Sequence, residues 1–206
     1  MISTPFLAVP PRDYGGTELI VYELVEGLVE RGHRVTLFAT GDSSTSAELR
    51  YLYPEAQWPP SVMPELNHVS WAVSELFLDG SFDLVHVHSA AALSYARLLA
   101  DLPLVYTLHH VRDEELSSFY PYFPEPHYVA ISRCQAEREV PLARLSVIHH
   151  GLDPSRFEWR EGPAEEYVAF IGRFTEVKGP HTAMDVAGRA GVPIRVAGEI
   201  HPPDQP

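Results

Sequence analysis

Six of the eleven histidines occur in three close pairs, and each pair stands at the end of an apolar run. The pairs are His86 and His88, His109 and His110, and His149 and His150. Imidazole donates or accepts hydrogen bonds, transfers protons near neutral pH and binds metal ions. The His-x-His spacing also puts His86 and His88 on one face of an extended strand. The three pairs are therefore candidates for one polar site.

A zinc site is a more specific alternative for these histidines, because imidazole is a common zinc ligand. No carboxylate ligand pattern accompanies the pairs, so we expect no bound metal. Taken singly, each histidine is better explained as an independent, hydrogen-bonded loop residue. That explanation is less convincing for three pairs that occupy equivalent positions.

Two further segments have the chemistry of a phosphate site. In PPRDYGGTE, Gly15 and Gly16 leave room for a ligand to approach backbone N–H groups at the start of a helix. A phosphate or a sugar hydroxyl suits that place; a tight turn without a ligand is the alternative. In FIGRFTEVKGP, Arg173 and Lys178 flank a loop that opens another helix. Two cations there suit a diphosphate without a metal ion, and a solvated surface pair is the alternative.

The elements that position these residues alternate along the chain. Apolar runs predict strands at residues 33–40, 82–88, 103–108, 127–131, 145–149, 167–172 and 193–198. Amphipathic or small-residue segments predict helices at 18–31, 65–78, 90–100 and 180–190, and a capping box at 132–135 opens a short one. Residues 41–49 and 51–64 are expected to be loops. Near-continuous apolar strands alternating with helices predict an α/β fold with a doubly wound parallel sheet. In such a sheet the carboxyl ends of the strands share one edge, where ligands bind, and the histidine pairs meet there.

A polar segment divides the chain. Residues 153–166 (DPSRFEWREGPAEE) are rich in charge and contain two prolines, which is typical of an interdomain linker. A further strand, helix and strand are predicted at 167–198. We interpret them as the start of a second domain with the same architecture.

Composition excludes several classes of protein. The 206 residues include 15 Lys+Arg and 28 Asp+Glu, a formal net charge of −13, which argues against a nucleic-acid polymer or an anionic membrane surface as partner. Cys134 is the one cysteine, so an intramolecular disulfide and Cys-rich zinc sites are excluded. We expect it to be a buried small hydrophobe on its short helix. No apolar stretch of membrane-spanning length and no signal peptide is evident, so a cytoplasmic location is expected.

In their order and spacing, these segments resemble the N-terminal part of retaining group 1, family 4-like glycosyltransferases of the GT-B fold. The resembling pieces are PPRDYGGTE, FDLVHVHS, VYTLHH, YVAISRCQ, VIHHGLDPSRF and FIGRFTEVKGP, and together they extend over almost the whole chain. The resemblance implies a Rossmann-like acceptor-side domain over residues 1–155. Residues 156–206 would then be the linker and the first strand, helix and strand of an incomplete Rossmann-like donor-binding domain.

The resemblance also implies roles for individual residues on the donor side. Gly15 and Gly16 would approach the donor phosphates or the transferred sugar. His109, in the Thr-x-His pattern of this chain, would be the catalytic-site residue that faces the transferred sugar. Arg173 and Lys178 would hold the diphosphate and stabilise the leaving group as negative charge builds on it.

The acceptor side is assigned to His88, His110 and His150. The implied reaction is transfer of a sugar from a nucleotide-diphosphate sugar to a carbohydrate, lipid or small-molecule acceptor, with retention and without a metal or cofactor. A nucleotide-sugar epimerase of the same fold is a less favoured alternative. Another is a non-catalytic acceptor-binding fragment, or one half of a split transferase that self-associates or pairs with a partner chain through its unfinished second domain.

Three departures from the family pattern affect these expectations. Residues 1–3 begin near the point where the first strand should finish, so the central strand is expected to be short. His149 and His150 replace the usual Pro-Asn before Gly151. The chain also ends before the family's nucleotide base pocket and Glu-x7-Glu pair. An incomplete second sheet is expected to expose apolar surface near Val168, Phe170, Ile194 and Val196.

Overall fold

A computed structural model describes residues 1–99, 101–157, 161–163 and 165–198. The chain forms two compact units that divide between Pro154 and Ser155. The sequence predicts a division one residue further along, after residue 155. Among the described residues, no helix is both long enough and apolar enough to cross a membrane.

The N-terminal unit is built on parallel strands. They are β1 (Thr36–Ala39), β2 (Glu48–Tyr51), β3 (Val85–Val87), β4 (Leu104–Leu108), β5 (His127–Ala130) and β6 (Leu145–Val147). β1 pairs with β2, and β3, β4, β5 and β6 pair in that order. Every one of these pairings is parallel. All of the expected strands of this unit are present, although each is shorter than its apolar run.

Ile2 joins the two groups of strands. It forms parallel bridges to Phe38 of β1 and to Val87 of β3. Its N–H donates to the carbonyl of His86 at 2.8 Å, and the N–H of His88 donates to the carbonyl of Ile2 at 3.0 Å. The spatial order is thus β2, β1, Ile2, β3, β4, β5, β6. The expected short central strand is reduced here to this one bridging residue.

Helices cover both faces of this sheet. They are α1 (Gly16–Glu30), α2 (Val62–Asp79), α3 (Glu114–Phe119) and α4 (Arg133–Arg138). Leu37 and Ala39 of β1 pack in one buried cluster with Val21 and Val25 of α1. Phe38, which points to the opposite face, lies in a second cluster with α2 and the inner strands. Side chains that alternate between two helix-covered faces confirm the doubly wound α/β fold.

Three elements of this unit differ from the sequence expectation. β2 lies in segments expected to be loops; it carries no apolar run, and Arg50 on it pairs with Glu48 and Asp79 at 2.7 Å each. The short helix α3 was not expected; Asp113 caps it by accepting from the N–H of Leu116 at 3.0 Å. The helix expected at 90–100 is a 3₁₀ helix over Ala90–Tyr95, with residue 100 outside the described part of the chain.

The C-terminal unit contains one strand–helix–strand repeat. β7 (Val168–Ile171) pairs in parallel with β8 (Ile194–Ala197), and α5 (Pro180–Ala190) connects them. α5 has the predicted boundaries, with a proline in its first turn and Gly191 in the left-handed conformation at its end, φ 66°. Val168 is exposed, as predicted, and Ile171 is 84% exposed. Phe170, Ile194 and Val196 are half-buried.

Candidate functional site

Four histidines form a row of rings at the carboxyl edge of the N-terminal sheet. His86 and His88 come from the end of β3, His109 follows β4, and His150 follows β6. The ring centroids are 4.5 Å apart for His86 and His88, 5.1 Å for His88 and His109, and 5.4 Å for His109 and His150. We call these four residues the histidine row. The sheet edge thus brings together side chains from three strands, as the sequence predicts.

Hydrogen bonds connect the row to itself and to the strands. His88 Nδ1 lies 2.8 Å from His109 Nε2, and His88 Nε2 lies 3.0 Å from the sulfur of Met1. His86 Nε2 lies 2.8 Å from the Thr107 hydroxyl on β4. His88 is only 4% exposed, whereas His109 is half-buried and His150 is exposed. From His88 outward, the row therefore runs from the buried sheet to the surface.

Burial keeps the row uncharged. It lowers the pKa of His109 to about 3, with a smaller contribution from the charges that His150, His110 and His86 would carry. It lowers the pKa of His86 to about 4. The pKa of His88 is well below its usual value and that of His150 is lowered, both chiefly through burial. Neutral imidazoles offer hydrogen bonds to hydroxyl groups, but they do not supply the positive charge that a phosphate needs.

The other predicted histidines lie beside the row. His110 is exposed, and its carbonyl is a hydrogen-bond acceptor within the loop after β4. His149 is exposed and donates from Nδ1 to the carbonyl of Ile131 at 3.1 Å. The pair that departs from the family pattern therefore has divided roles: His149 anchors the chain to β5, and His150 supplies the outer ring of the row. Within the described residues, no group of three or more His, Cys, Asp or Glu side chains is arranged to hold a metal ion.

Gly15 and Gly16 are glycines for different reasons. A Cβ on Gly15 would lie 2.7 Å from Pro11 Cβ and 3.0 Å from Leu7 Cδ1, so packing excludes a side chain. A Cβ on Gly16 would meet nothing within 4 Å. Gly16 is the first residue of α1, a helix of 15 residues, so its surroundings combine open space with the positive end of the helix dipole.

Arg173 and Lys178 belong to the C-terminal unit, on the loop between β7 and α5. Arg173 is half-buried and Lys178 is exposed. A 3₁₀ turn over Glu176–Lys178 ends at Gly179, which has a φ of 69°. This is the left-handed conformation, which favours glycine at that position. The turn brings Lys178 to the start of α5, as the loop sequence predicts.

Residues 14–156 match the family model described as Glycosyltransferase Family 4. The chain belongs to this glycosyltransferase family. The match contains Gly15, Gly16 and the whole histidine row, whereas Arg173 and Lys178 lie outside it. The predicted resemblance is thereby confirmed at the level of the glycosyltransferase family.

Two known proteins are similar to this family 4 chain over nearly its whole length. The O-antigen chain mannosyltransferase C of Escherichia coli is 22% identical over 218 residues, which cover 91% of this chain and 58% of that protein. The crystal structure of AviGT4, a glycosyltransferase involved in avilamycin A biosynthesis, superposes with a TM-score of 0.68 at 23% identity, covering 98% of this chain and 57% of that one. The second likeness shows the shared fold. The chain thus spans less than three fifths of the length of either protein.

Glu18 is the last residue of the motif PPRDYGGTE, and the sequence alone assigns it no role. Its side chain lies beside the loop that carries Gly15 and Gly16, which we call the glycine loop, since a Cβ on Gly15 would also come 3.0 Å from Glu18 Oε2. Glu18 is 6% exposed and accepts a hydrogen bond from the Thr4 hydroxyl at 2.8 Å. Burial raises the pKa of its carboxyl, and hydrogen bonds from its own backbone and from Thr4 oppose that rise. Glu18 therefore connects the start of the chain to the glycine loop.

Gln135 holds the loop that carries His109. Its Nε2 donates to the carbonyls of Leu108 and His110 at 3.1 and 2.6 Å, and its Oε1 accepts from the N–H of Ile131 at 2.7 Å. Ser132 caps α4 as predicted, accepting from the N–H of Gln135 at 3.1 Å. The capping box indicated Gln135, but its contact with the loop after β4 is a tertiary one that local sequence does not encode.

Cys134, next to Gln135, corrects a sequence expectation. It was expected to be buried, but it is an exposed free cysteine. The helix α4 has only six residues, and none of them is buried. Because Gln135 turns toward the sheet, its neighbour faces solvent.

Proposed function

We propose that this chain is the acceptor-binding part, together with the beginning of the donor-binding part, of a glycosyltransferase that moves a sugar from a nucleotide-diphosphate sugar to an acceptor. We further propose that the configuration at the sugar carbon is retained and that no metal ion takes part. The observation that carries this proposal is the family match over residues 14–156, which contains both the glycine loop and the histidine row.

We assign the donor phosphates to helix N-termini, which carry a partial positive charge, and to two cationic side chains. Gly16 offers the open N-terminus of α1, and Gly15 shapes the loop before it. Arg173 and Lys178 are cations beside the N-terminus of α5. As the bond between sugar and phosphate breaks, negative charge grows on the leaving diphosphate, and fixed cations stabilise that charge most at the transition state.

The sugars are assigned to the histidine row, because neutral imidazoles bind hydroxyl groups without attracting phosphate. His109 is half-buried in the middle of the row and is proposed to face the transferred sugar. His110 and His150 are exposed and are proposed to face the acceptor. His88, which was expected on the acceptor side, is buried and reaches the site through its contact with His109.

Mannose is the first donor sugar to test, because the Escherichia coli relative is named a mannosyltransferase. The acceptor is proposed to be a carbohydrate, a lipid or a small molecule. Cys134 is a free cysteine, which is compatible with the reducing cytoplasm, where we propose that the protein works.

A split or assembled transferase is a second candidate, and one observation favours it. The C-terminal unit exposes large apolar side chains, with Ile171 84% and Val177 87% accessible. Such side chains are usually covered in a complete α/β domain. A partner chain or a second copy that packs on this surface would cover these side chains.

The experiment is a transfer assay with the full chain. Nucleotide-diphosphate sugars, with mannose first, are incubated with carbohydrate acceptors, and both released nucleoside diphosphate and glycosylated product are measured with and without a chelator. We expect product with the donor's anomeric configuration in both conditions. Inverted product would contradict retention, and loss of activity on chelation would contradict metal independence. Activity only after addition of a separate chain would favour the split transferase.

A further inference from the structure

His88 lies between a sulfur atom and another histidine. Its Nε2 is 3.0 Å from the Met1 sulfur, and its Nδ1 is 2.8 Å from His109 Nε2. A thioether sulfur carries no hydrogen and acts only as a weak acceptor. At this distance the contact is attractive only when the hydrogen is on His88 Nε2.

The position of that hydrogen determines the rest of the chain of hydrogen bonds. His88 is 4% exposed, and burial keeps its ring neutral by lowering its pKa well below the usual value. A neutral imidazole has one hydrogen, so His88 Nδ1 is bare and accepts. The hydrogen between the rings then belongs to His109 Nε2. Since His109 is also neutral, its Nδ1 is bare.

We propose that His88 fixes the tautomer of His109, so that His109 presents an accepting Nδ1 to the site and takes a hydroxyl group of the ligand rather than a phosphate oxygen. Within the part of the chain that the structure describes, His109 Nδ1 has no hydrogen-bond partner. A deprotonated phosphate oxygen has only lone pairs, so it is repelled by a bare ring nitrogen, whereas a hydroxyl donates to it. That the hydroxyl belongs to a sugar rests on the proposed function.

The backbone supports the same assignment. Gln135 Nε2 binds the carbonyls on both sides of His109, those of Leu108 and His110. The ring is thus held by His88 while the main chain is held by Gln135. A ring fixed in this way cannot readily turn to exchange the roles of its two nitrogens. His88 is therefore a positioning residue for His109.

The test is nuclear magnetic resonance of the full chain with ¹⁵N-labelled histidine. Long-range ¹H–¹⁵N correlations distinguish a protonated from a bare ring nitrogen, and His109→Gln assigns the His109 signals. At neutral pH we expect hydrogen on Nε2 and a bare Nδ1. Hydrogen on Nδ1 of His109 in the unchanged protein would overturn the proposal.

Three variants separate positioning from packing. His88→Asn places its amide oxygen where Nδ1 stood, so the tautomer of His109 should be kept. His88→Gln is equally polar but places its oxygen near the former Nε2. The population ratio of the His109 tautomer protonated at Nε2 to the tautomer protonated at Nδ1 should therefore fall about fivefold, which corresponds to the loss of one neutral hydrogen bond. His127→Asn changes a histidine at the start of β5 and should leave the ratio unchanged. An equal ratio in the Asn and Gln variants would contradict the assignment.

Inorganic phosphate tests the ligand class. We expect the His109 Nδ1 resonance to stay in place as phosphate is added, and a shift to a protonated nitrogen would refute the hydroxyl assignment. These readouts need no turnover. A chain that neither transfers a sugar nor binds a nucleotide sugar or an acceptor would therefore contradict the proposed function and leave the tautomer assignment standing.

Discussion

Alanine at Gly15 and alanine at Gly16 should have opposite effects, although the residues are adjacent. At Gly15 the new Cβ would lie 2.7 Å from Pro11 Cβ and 3.0 Å from both Glu18 Oε2 and Leu7 Cδ1. Overpacking of this kind costs about 1–3 kcal/mol. For a unit of this size, that cost lowers the melting temperature by about 2–12 °C.

At Gly16 the new Cβ meets nothing within 4 Å, so the free protein has room for it. Replacing a helical glycine by alanine at a compatible position stabilises a protein by about 0.4–1 kcal/mol, because the unfolded chain loses freedom. The melting temperature of Gly16→Ala should therefore rise by about 1–4 °C. The same methyl group fills the space through which a ligand approaches the N-terminus of α1. Loss of one hydrogen bond to a charged oxygen, about 1.5 kcal/mol, weakens donor binding about tenfold.

Thermal unfolding followed by circular dichroism gives the first quantity, and calorimetric titration with the nucleotide sugar that supports transfer gives the second. Gly15→Ala is the matched control for Gly16→Ala, since both add one methyl group to the same loop. A Gly15→Ala variant as stable as the parent would refute the packing argument. A Gly16→Ala variant with full donor affinity would remove Gly16 from the proposed phosphate site.

Three further predictions follow from charge and exposure. The pKa values of His86, about 4, and His109, about 3, lie below the ordinary 6.5, so the unfolded chain binds more protons than the folded chain between these values. As the pH falls from 6.5 toward 4, the two rings should lower stability by up to about 1.4 kcal/mol per pH unit each, in addition to the loss from the buried Met1 amino group, whose pKa is lowered from 8.0 to about 5. Urea midpoints without a fall between pH 6.5 and 4 would contradict neutral burial. Replacing Arg173 and Lys178 together by glutamine should weaken donor binding at least tenfold and reduce its salt dependence, measured by titration at two ionic strengths; unchanged affinity would place the diphosphate elsewhere. Exposed Cys134 should react with a thiol reagent in the folded protein as fast as in urea, and strong protection would contradict its exposure.

The sequence predicted those elements whose signals are local. Proline near the start of α5 and Gly191 after its end gave the boundaries of that helix without error. The apolar runs located every buried strand, because burial on both faces requires such runs. β2 was missed because it is a polar edge strand held by the ion pairs of Arg50, which depend on a partner 29 residues away.

The candidate site was predicted as a set of residues but not as a set of contacts. A parallel sheet brings the ends of its strands to one edge, so the convergence of the histidine pairs followed from topology. The hydrogen bond from His109 to His88 and the reach of Gln135 to the loop after β4 depend on side-chain packing between elements 21 to 27 residues apart. Burial of Glu18 likewise depends on Thr4 and on the glycine loop beside it. Spacing along the chain carries no signal for such contacts.

The central claim is that the histidine row binds the sugar that is transferred, with His109 facing it. Single-turnover transfer should be measured for the parent chain, His109→Ala and His127→Asn, at a donor concentration that saturates the parent. His127 lies at the opposite edge of the sheet, bonded to Ser146 at 2.8 Å, and serves as the matched histidine control. We predict a rate loss of at least tenfold for His109→Ala, from one lost hydrogen bond and its cavity, and an unchanged rate for His127→Asn. Equal rates for the two variants would contradict the proposed place of the sugar.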